Sequence, residues 1–275
     1  DYKVWLAAYG HTFFSLSVGF GIMVTYSSYL KPKTDLTGSG LIVGFANAST
    51  EILAGIGIFA ALGFMAYAAG SNVQDVVSGG IGLAFIAFPK IISSLGAGGD
   101  IFGFLFFSSL FVAGISSMVS ILEVPIAAMM DKLKWSRKKA VSIIGGGSAV
   151  VSVALFSSVN SIKLVDIIDH FINNIGIIGG ALLSIICVAW FKRSALTLIK
   201  DHINNISTVK VGRGWDFTLT VITSLILLVT LVMTIISLIS KGYDTYSMSL
   251  QMIFGWGSVI FCAVVAVILS KVKDR

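Results

Sequence analysis

The sequence predicts an all-α polytopic membrane protein. Hydrophobic residues make up 56% of the chain and charged residues only 12%, too few charges to cover a water-soluble surface. The mean hydropathy is +0.95. Apolar runs of bilayer-spanning length recur at about 4–30, 39–67, 102–130, 139–158, 163–191, 215–240 and 248–270. Each is long enough for a helix across the roughly 30 Å hydrocarbon core, so seven spans are expected.

The charges between the runs set an orientation. With the first residue outside, 15 of the 19 Lys and Arg fall in cytoplasmic segments, leaving only Lys3, Lys90, Lys163 and Lys241 outside. That asymmetry predicts a multi-pass protein of the plasma (inner) membrane with its N-terminus out and its C-terminus in. It also accounts for the net charge of +6 without a nucleic-acid partner. The run Lys132–Lys139 reads as a solvated cytoplasmic turn, and Trp5, Trp135, Trp190 and Trp215 fall where interfacial anchors do. Cys187 and Cys262 lie in apolar spans as small hydrophobes. The chain begins at Asp1 with no n-region or cleavage site, which points to a truncated chain.

The first span holds the stretch Gly10-His-Thr-Phe-Phe-Ser-Leu-Ser-Val-Gly-Phe-Gly21, whose centre has the composition of a helix break. Backbone freed at membrane depth is tolerated where it is buried in protein or lines a cavity. The same small residues also serve close helix packing. In the second span, Asn47 and Glu51 share a face at i, i+4. They fit a hard cation, a proton carrier, or an interhelical hydrogen-bond pair.

Between the second and third spans, about 70–97, the punctuation Ser71-Asn72, Gly79-Gly80 and Phe88-Pro89 predicts a re-entrant or surface loop with short helices. The third span carries Ser116 and Ser117 beside Gly114. Their hydroxyls suit either an oxygen cage for a small cation or bonding back to helix carbonyls. Glu123 follows, as a partner for a neighbouring helix.

In the fifth span Asp166 and Asp169 lie near the outer surface, with His170, Asn173 and Asn174 further in. Asp169 fits a gating carboxylate or a charge at a helix N-terminus. From Lys192 to Asn205 an apolar face alternates with charges, as in a short amphipathic helix on the inner leaflet. A P-loop, an HExxH motif and a paired Cys/His set are all lacking in the sequence, so an enzyme is not expected.

Four stretches in order resemble the neurotransmitter:sodium symporter family of LeuT-fold transporters, and its bacterial amino-acid members in particular. They are Val4-Trp-Leu-Ala-Ala with Gly10 to Gly21; Ala46-Asn-Ala-Ser-Thr-Glu-Ile-Leu-Ala-Gly55; Gly82-Leu-Ala-Phe-Ile-Ala-Phe-Pro89 followed by Ala97-Gly-Gly; and Ala113-Gly-Ile-Ser-Ser117 leading to Asp131-Lys-Leu-Lys-Trp-Ser-Arg-Lys138. The resemblance covers the chain to about Gly180, and the last two spans fit by position. It implies that residues 1–191 form the second inverted repeat, five helices with the first one broken, and that residues 192–275 hold the amphipathic segment and two further transmembrane helices. The first repeat, with the partner broken helix, is then missing. In this family substrate and ions bind between the two broken helices near the midplane.

Carried onto this chain, the resemblance implies substrate contacts at Phe14, Ser17, Phe20, Met23, Ser117 and Ile121. It assigns one sodium to Ser15 and Asn47, and a second to the Ala113 carbonyl, Ser116 and Ser117. Glu51 stands at the chloride-site serine of animal homologues, which implies no chloride requirement and a proton taken up on the return step. Asp169 matches the extracellular gate; Tyr29 and Asp131 match cytoplasmic-gate positions. His11 departs from the usual Gln, whereas Ser15 and Ser116 replace Thr and keep the hydroxyl.

The expected function is sodium-coupled symport of neutral, hydrophobic amino acids by alternating access, without a cofactor beyond Na⁺. Its partners are then the amino acid, Na⁺, the bilayer and the first repeat. Rival readings are a non-transporting receptor or sensor and a truncated half-transporter without activity.

Overall fold

A computed structural model describes residues 2–70, 72, 82–94, 96–158 and 161–272. Among these the regular structure is helical throughout, as backbone in a hydrocarbon core requires. Among the described residues six helices are long and apolar enough to cross a membrane, which makes this a multi-pass membrane protein. They are α3 (Leu36–Ala69), α5 (Gly99–Leu133), α6 (Arg137–Phe156), α7 (Ser161–Phe191), α9 (Arg213–Lys241) and α10 (Met248–Lys271). The first expected span is two pieces, α1 (Tyr2–Ser15) and α2 (Ile22–Ser27). The part of the 70–97 loop at Ser71 and Gly79-Gly80 lies outside the described residues. Beyond it come a π turn (Leu83–Ala87), α4 (Phe88–Ser94) and a 3-10 turn (Gly96–Gly98).

The chain folds as two units, Asp1–Gly40 with Ile121–Arg275, and Leu41–Ser120. In the first, Phe13, Ile178, Ala181, Leu182 and Leu227 form one buried cluster, and Ile167, Phe171, Ile175 and Leu238 another. Between helices in lipid there is little hydrophobic drive, so close packing and hydrogen bonds must hold them together. Gly255 illustrates the closeness: a Cβ there would come within 2.7 Å of the Phe171 ring. Helix α7 carries π turns at Ile172–Ile177 and Ile186–Phe191, local geometries that often accompany functional sites.

The amphipathic segment is α8 (Arg193–Ile206), and its ends are tied down. The buried Ser207 hydroxyl accepts from the N–H groups of Leu36 and Thr37 at 3.1 and 3.2 Å, capping α3. Asp35 accepts from the N–H groups of Gly38 and Thr208 at 2.8 and 3.0 Å. Hydrogen bonds, first from the Thr208 side chain and then from these amides, hold the Asp35 carboxyl down to about 2. It is therefore ionised at any physiological pH. Lys200 pairs with Asp216, and Lys210 caps the carbonyls of Asn204 and Ser207.

In the second unit, Phe88 stacks on Phe106 with centroids 4.4 Å apart, and Phe85 on Phe107 at 6.2 Å. A Cβ on Gly103 would lie 3.1 Å from Ile92. Aromatic stacking and this missing side chain seat α4 and its π turn on α5.

Candidate functional site

The break between α1 and α2 is built from its backbone. The Ser17 N–H donates to the Phe14 carbonyl at 2.9 Å and the Val18 N–H to the Phe13 carbonyl at 3.1 Å. This pair closes a helix as a Schellman motif, whose left-handed position glycine usually fills. Here Ser17 fills it, at φ 53°, which costs an L-residue about 1–2 kcal/mol. A strained non-glycine held by its surroundings is a pointer to function. Gly19 and Gly21 follow at φ 86° and 79°.

Neighbouring helices hold the break closely. A Cβ on Gly19 would sit 2.9 Å from the Ala181 Cβ and 3.1 Å from the Ile177 side chain, both on α7. One on Gly21 would sit 3.1 Å from Val124 on α5. Ile121 precedes Val124 by three residues and so shares its helix face. Pro125 lies inside α5 and removes the N–H that would bond the Ile121 carbonyl. Phe14 meets Phe20 edge to face at 6.2 Å across the break, while Phe13 is buried. Met23 is exposed, as is Ile121.

The polar pairs within helices adopt definite arrangements. Asn47 Nδ2 donates to Glu51 Oε1 at 2.7 Å, so the amide nitrogen, and not the amide oxygen, faces the carboxylate. The Ser116 hydroxyl bonds back to the Ala113 carbonyl at 2.9 Å, the helix-internal alternative for this serine. The two oxygens are nonetheless close enough to reach one hard cation together at the roughly 2.3–2.6 Å of such contacts.

At the far end of α2, Tyr29 donates to Glu123 Oε1 at 2.8 Å. Arg137 forks onto the same carboxylate at 2.8 and 2.9 Å. Glu123 is buried, so its charge is compensated by a bidentate guanidinium and a phenol. Arg137, in the run expected to be a solvated turn, is 58% exposed on its side chain; it starts α6 and reaches back across the turn to Glu123. Tyr29 pairs with Glu123, whereas Asp131 lines a separate groove with Ala266 and Ser270. A carboxylate in an apolar run fourteen residues before an Arg was the available signal.

Near Asp169 the arrangement is two-sided. Asp169 is exposed and accepts from Asn173 at 2.9 Å. Asp166 accepts from Tyr243 at 3.1 Å and Tyr246 at 2.9 Å. The structure thus brings Phe14, Ser17, Phe20 and Ile121 to the break and its α5 neighbour. Ser15 ends α1 itself.

A family model described as the sodium:neurotransmitter symporter family matches residues 1–274. An uncharacterized sodium-dependent transporter of Methanocaldococcus jannaschii is 38% identical over 273 residues, covering 99% of this chain and 55% of that protein. The human sodium- and chloride-dependent neutral and basic amino acid transporter B(0+) is 29% identical over 282 residues, 98% of this chain and 43% of that protein. The sodium-dependent nutrient amino acid transporter 1 of Drosophila grimshawi is 28% identical over 255 residues, 92% and 40% respectively. The chain therefore spans about half the length of the relatives it matches.

Proposed function

The chain belongs to the sodium:neurotransmitter symporter family, whose members are transporters and not enzymes, and from that premise we propose that it supplies one wall of a sodium-coupled symporter for neutral, hydrophobic amino acids. The observation that carries this reading is the strained Ser17 turn pinned against α7 at Gly19. Packing alone would be served as well by a continuous helix of small residues. A break instead turns backbone N–H and C=O groups out of the helix ladder, where they can meet an amino acid's ammonium and carboxylate. The Phe14–Phe20 pair and Met23 then offer apolar contact to its side chain.

In this reading Ser15 and Asn47 each give an oxygen to one Na⁺, and Ala113, Ser116 and Ser117 to another. The Ser116 hydroxyl would rotate from its helix bond as the ion binds. Remaining ligands come from a preceding repeat, with the N-terminus of this chain outside. Sodium stabilises the substrate-ready state, and that linkage couples the two gradients.

The test is reconstitution of the full-length protein containing this chain in liposomes under an inward Na⁺ gradient. Labelled leucine should accumulate with the gradient; uptake indifferent to Na⁺ overturns the coupling. Glu51 supplies the negative charge in place of chloride and takes up a proton on the return step, so Glu51→Ser should make uptake respond to added chloride. An active Glu51→Ser variant that ignores chloride removes that role.

A further inference from the structure

The loop between α9 and α10 closes on the outer end of α7 in a way that sodium and substrate sites do not require. Both oxygens of Asp166 are used, Oδ1 by the Tyr243 hydroxyl and Oδ2 by the Tyr246 hydroxyl. His170, one turn further along, stacks face to face on Tyr243 with ring centroids 3.8 Å apart. Ile167 and Phe171, on the same face, are wholly buried.

The loop itself is fixed by Gln251. This buried amide accepts from the Tyr243 N–H at 2.8 Å and donates to the carbonyls of Tyr243 and Tyr246 at 3.2 and 2.8 Å. A satisfied buried amide of this kind specifies one loop conformation. Gly242 enters the loop at φ 72°, where a Cβ would press on Gln251 at 3.3 Å. Burial, followed by the Asp166 charge, pushes the Tyr243 hydroxyl well above its ordinary value, so it stays a donor across the physiological range.

We propose that Asp166, Tyr243 and Tyr246 form a clasp that makes the outer end of α7 move as one body with the last two helices, with Asp166 the positioning residue for Asp169. The inference rests on the reading of Asp169 as a gating carboxylate. Asp169 is three residues on from Asp166, beside it on the same helix face, and stays exposed. An acid that must close on a partner in each cycle needs its helix end held in register. The clasp does this through three contacts, the two tyrosine hydroxyls on Asp166 and the Tyr243 ring on His170, and leaves Asp169 exposed.

The experiment places spin labels at Lys163 and Thr245 in the full-length protein, both exposed and outside the clasp. In the parent, the label-to-label distance distribution should be narrow and unchanged by Na⁺ and leucine. Tyr243→Phe with Tyr246→Phe should broaden it and raise the KM for leucine about five- to tenfold, with the maximal rate held within about twofold. Asp166→Asn, which keeps one acceptor oxygen, should fall between the two. A distribution as narrow in the double variant as in the parent overturns the clasp. A broadened distribution with unchanged KM leaves it a structural tie and overturns the positioning role. Absence of Na⁺-driven uptake by the parent would sink the transport reading instead, and the distance measurement would still report on the clasp.

Discussion

Gly19→Ala should abolish at least about nine-tenths of sodium-driven uptake, and Gly10→Ala should not. The two glycines lie in the same stretch and differ in what surrounds them. At Gly10, inside α1, a Cβ would meet nothing within 4 Å. Alanine there gains up to about 1 kcal/mol of helix propensity. At Gly19 the backbone sits at φ 86° and a Cβ would meet Ala181 at 2.9 Å and Ile177 at 3.1 Å. The left-handed conformation costs an L-residue about 1–2 kcal/mol, and overpacking a close contact about 1–3 kcal/mol.

Together these exceed the roughly 1.4 kcal/mol that shifts an equilibrium tenfold. The break would then move off α7 or the turn would open. Ala181→Gly on the Gly19→Ala background separates the two costs, because it removes the nearer contact and leaves the dihedral strain. Partial recovery of uptake and of thermal stability in detergent is the expected result. Full activity in Gly19→Ala alone would show that the close approach to α7 has no part in transport.

How much of this site could be read beforehand follows from the range of the interactions. The break was legible because local composition determines it: Ser15, Ser17 and Gly19 favour leaving a helix wherever they stand. Asn47 and Glu51 were legible for a similar reason, four residues apart on one helix face. The back-bonding of Ser116 to Ala113 was one of two local options, and only the rotamer chooses between them.

The clasp was not legible. Asp166 and its tyrosines are separated by 77 and 80 residues, and a tyrosine in a polar loop carries no sign of the acid that it will meet. The same holds for Ser207, which caps α3 from 171 residues away. The same range hides the partner of Tyr29: its hydroxyl goes to Glu123, 94 residues on, a buried carboxylate whose charge Arg137 returns across the turn to neutralise.

Removing Arg137 should therefore cost more than neutralising Glu123. Breaking a fully buried ion pair by deleting one partner costs about 3–5 kcal/mol, since the other charge is left uncompensated. Arg137 is 58% exposed and Glu123 only 9% on their side chains, so water screens one end and Arg137→Ala should cost less than that full penalty. Glu123→Gln removes the charge itself and keeps an oxygen for Tyr29 at 2.8 Å. Its cost should be nearer ~1 kcal/mol, the net worth of ordinary hydrogen bonds.

Thermal unfolding in detergent should accordingly rank Arg137→Ala below Glu123→Gln. The double variant should be no less stable than Arg137→Ala alone, because the stranded charge is gone. In a double-mutant cycle this is a coupling of about 1 kcal/mol or more. Additive losses would mean that Arg137 is held by the turn and not by the carboxylate. The consequence for transport follows from placement: Tyr29 ends the segment after the break, so a network that ties it to both α5 and α6 resists movement of α2. Arg137→Ala should then make a thiol placed at Ser27 react faster in the absence of Na⁺, and Na⁺ should slow it again. A rate unaffected by the substitution would confine the network to stability.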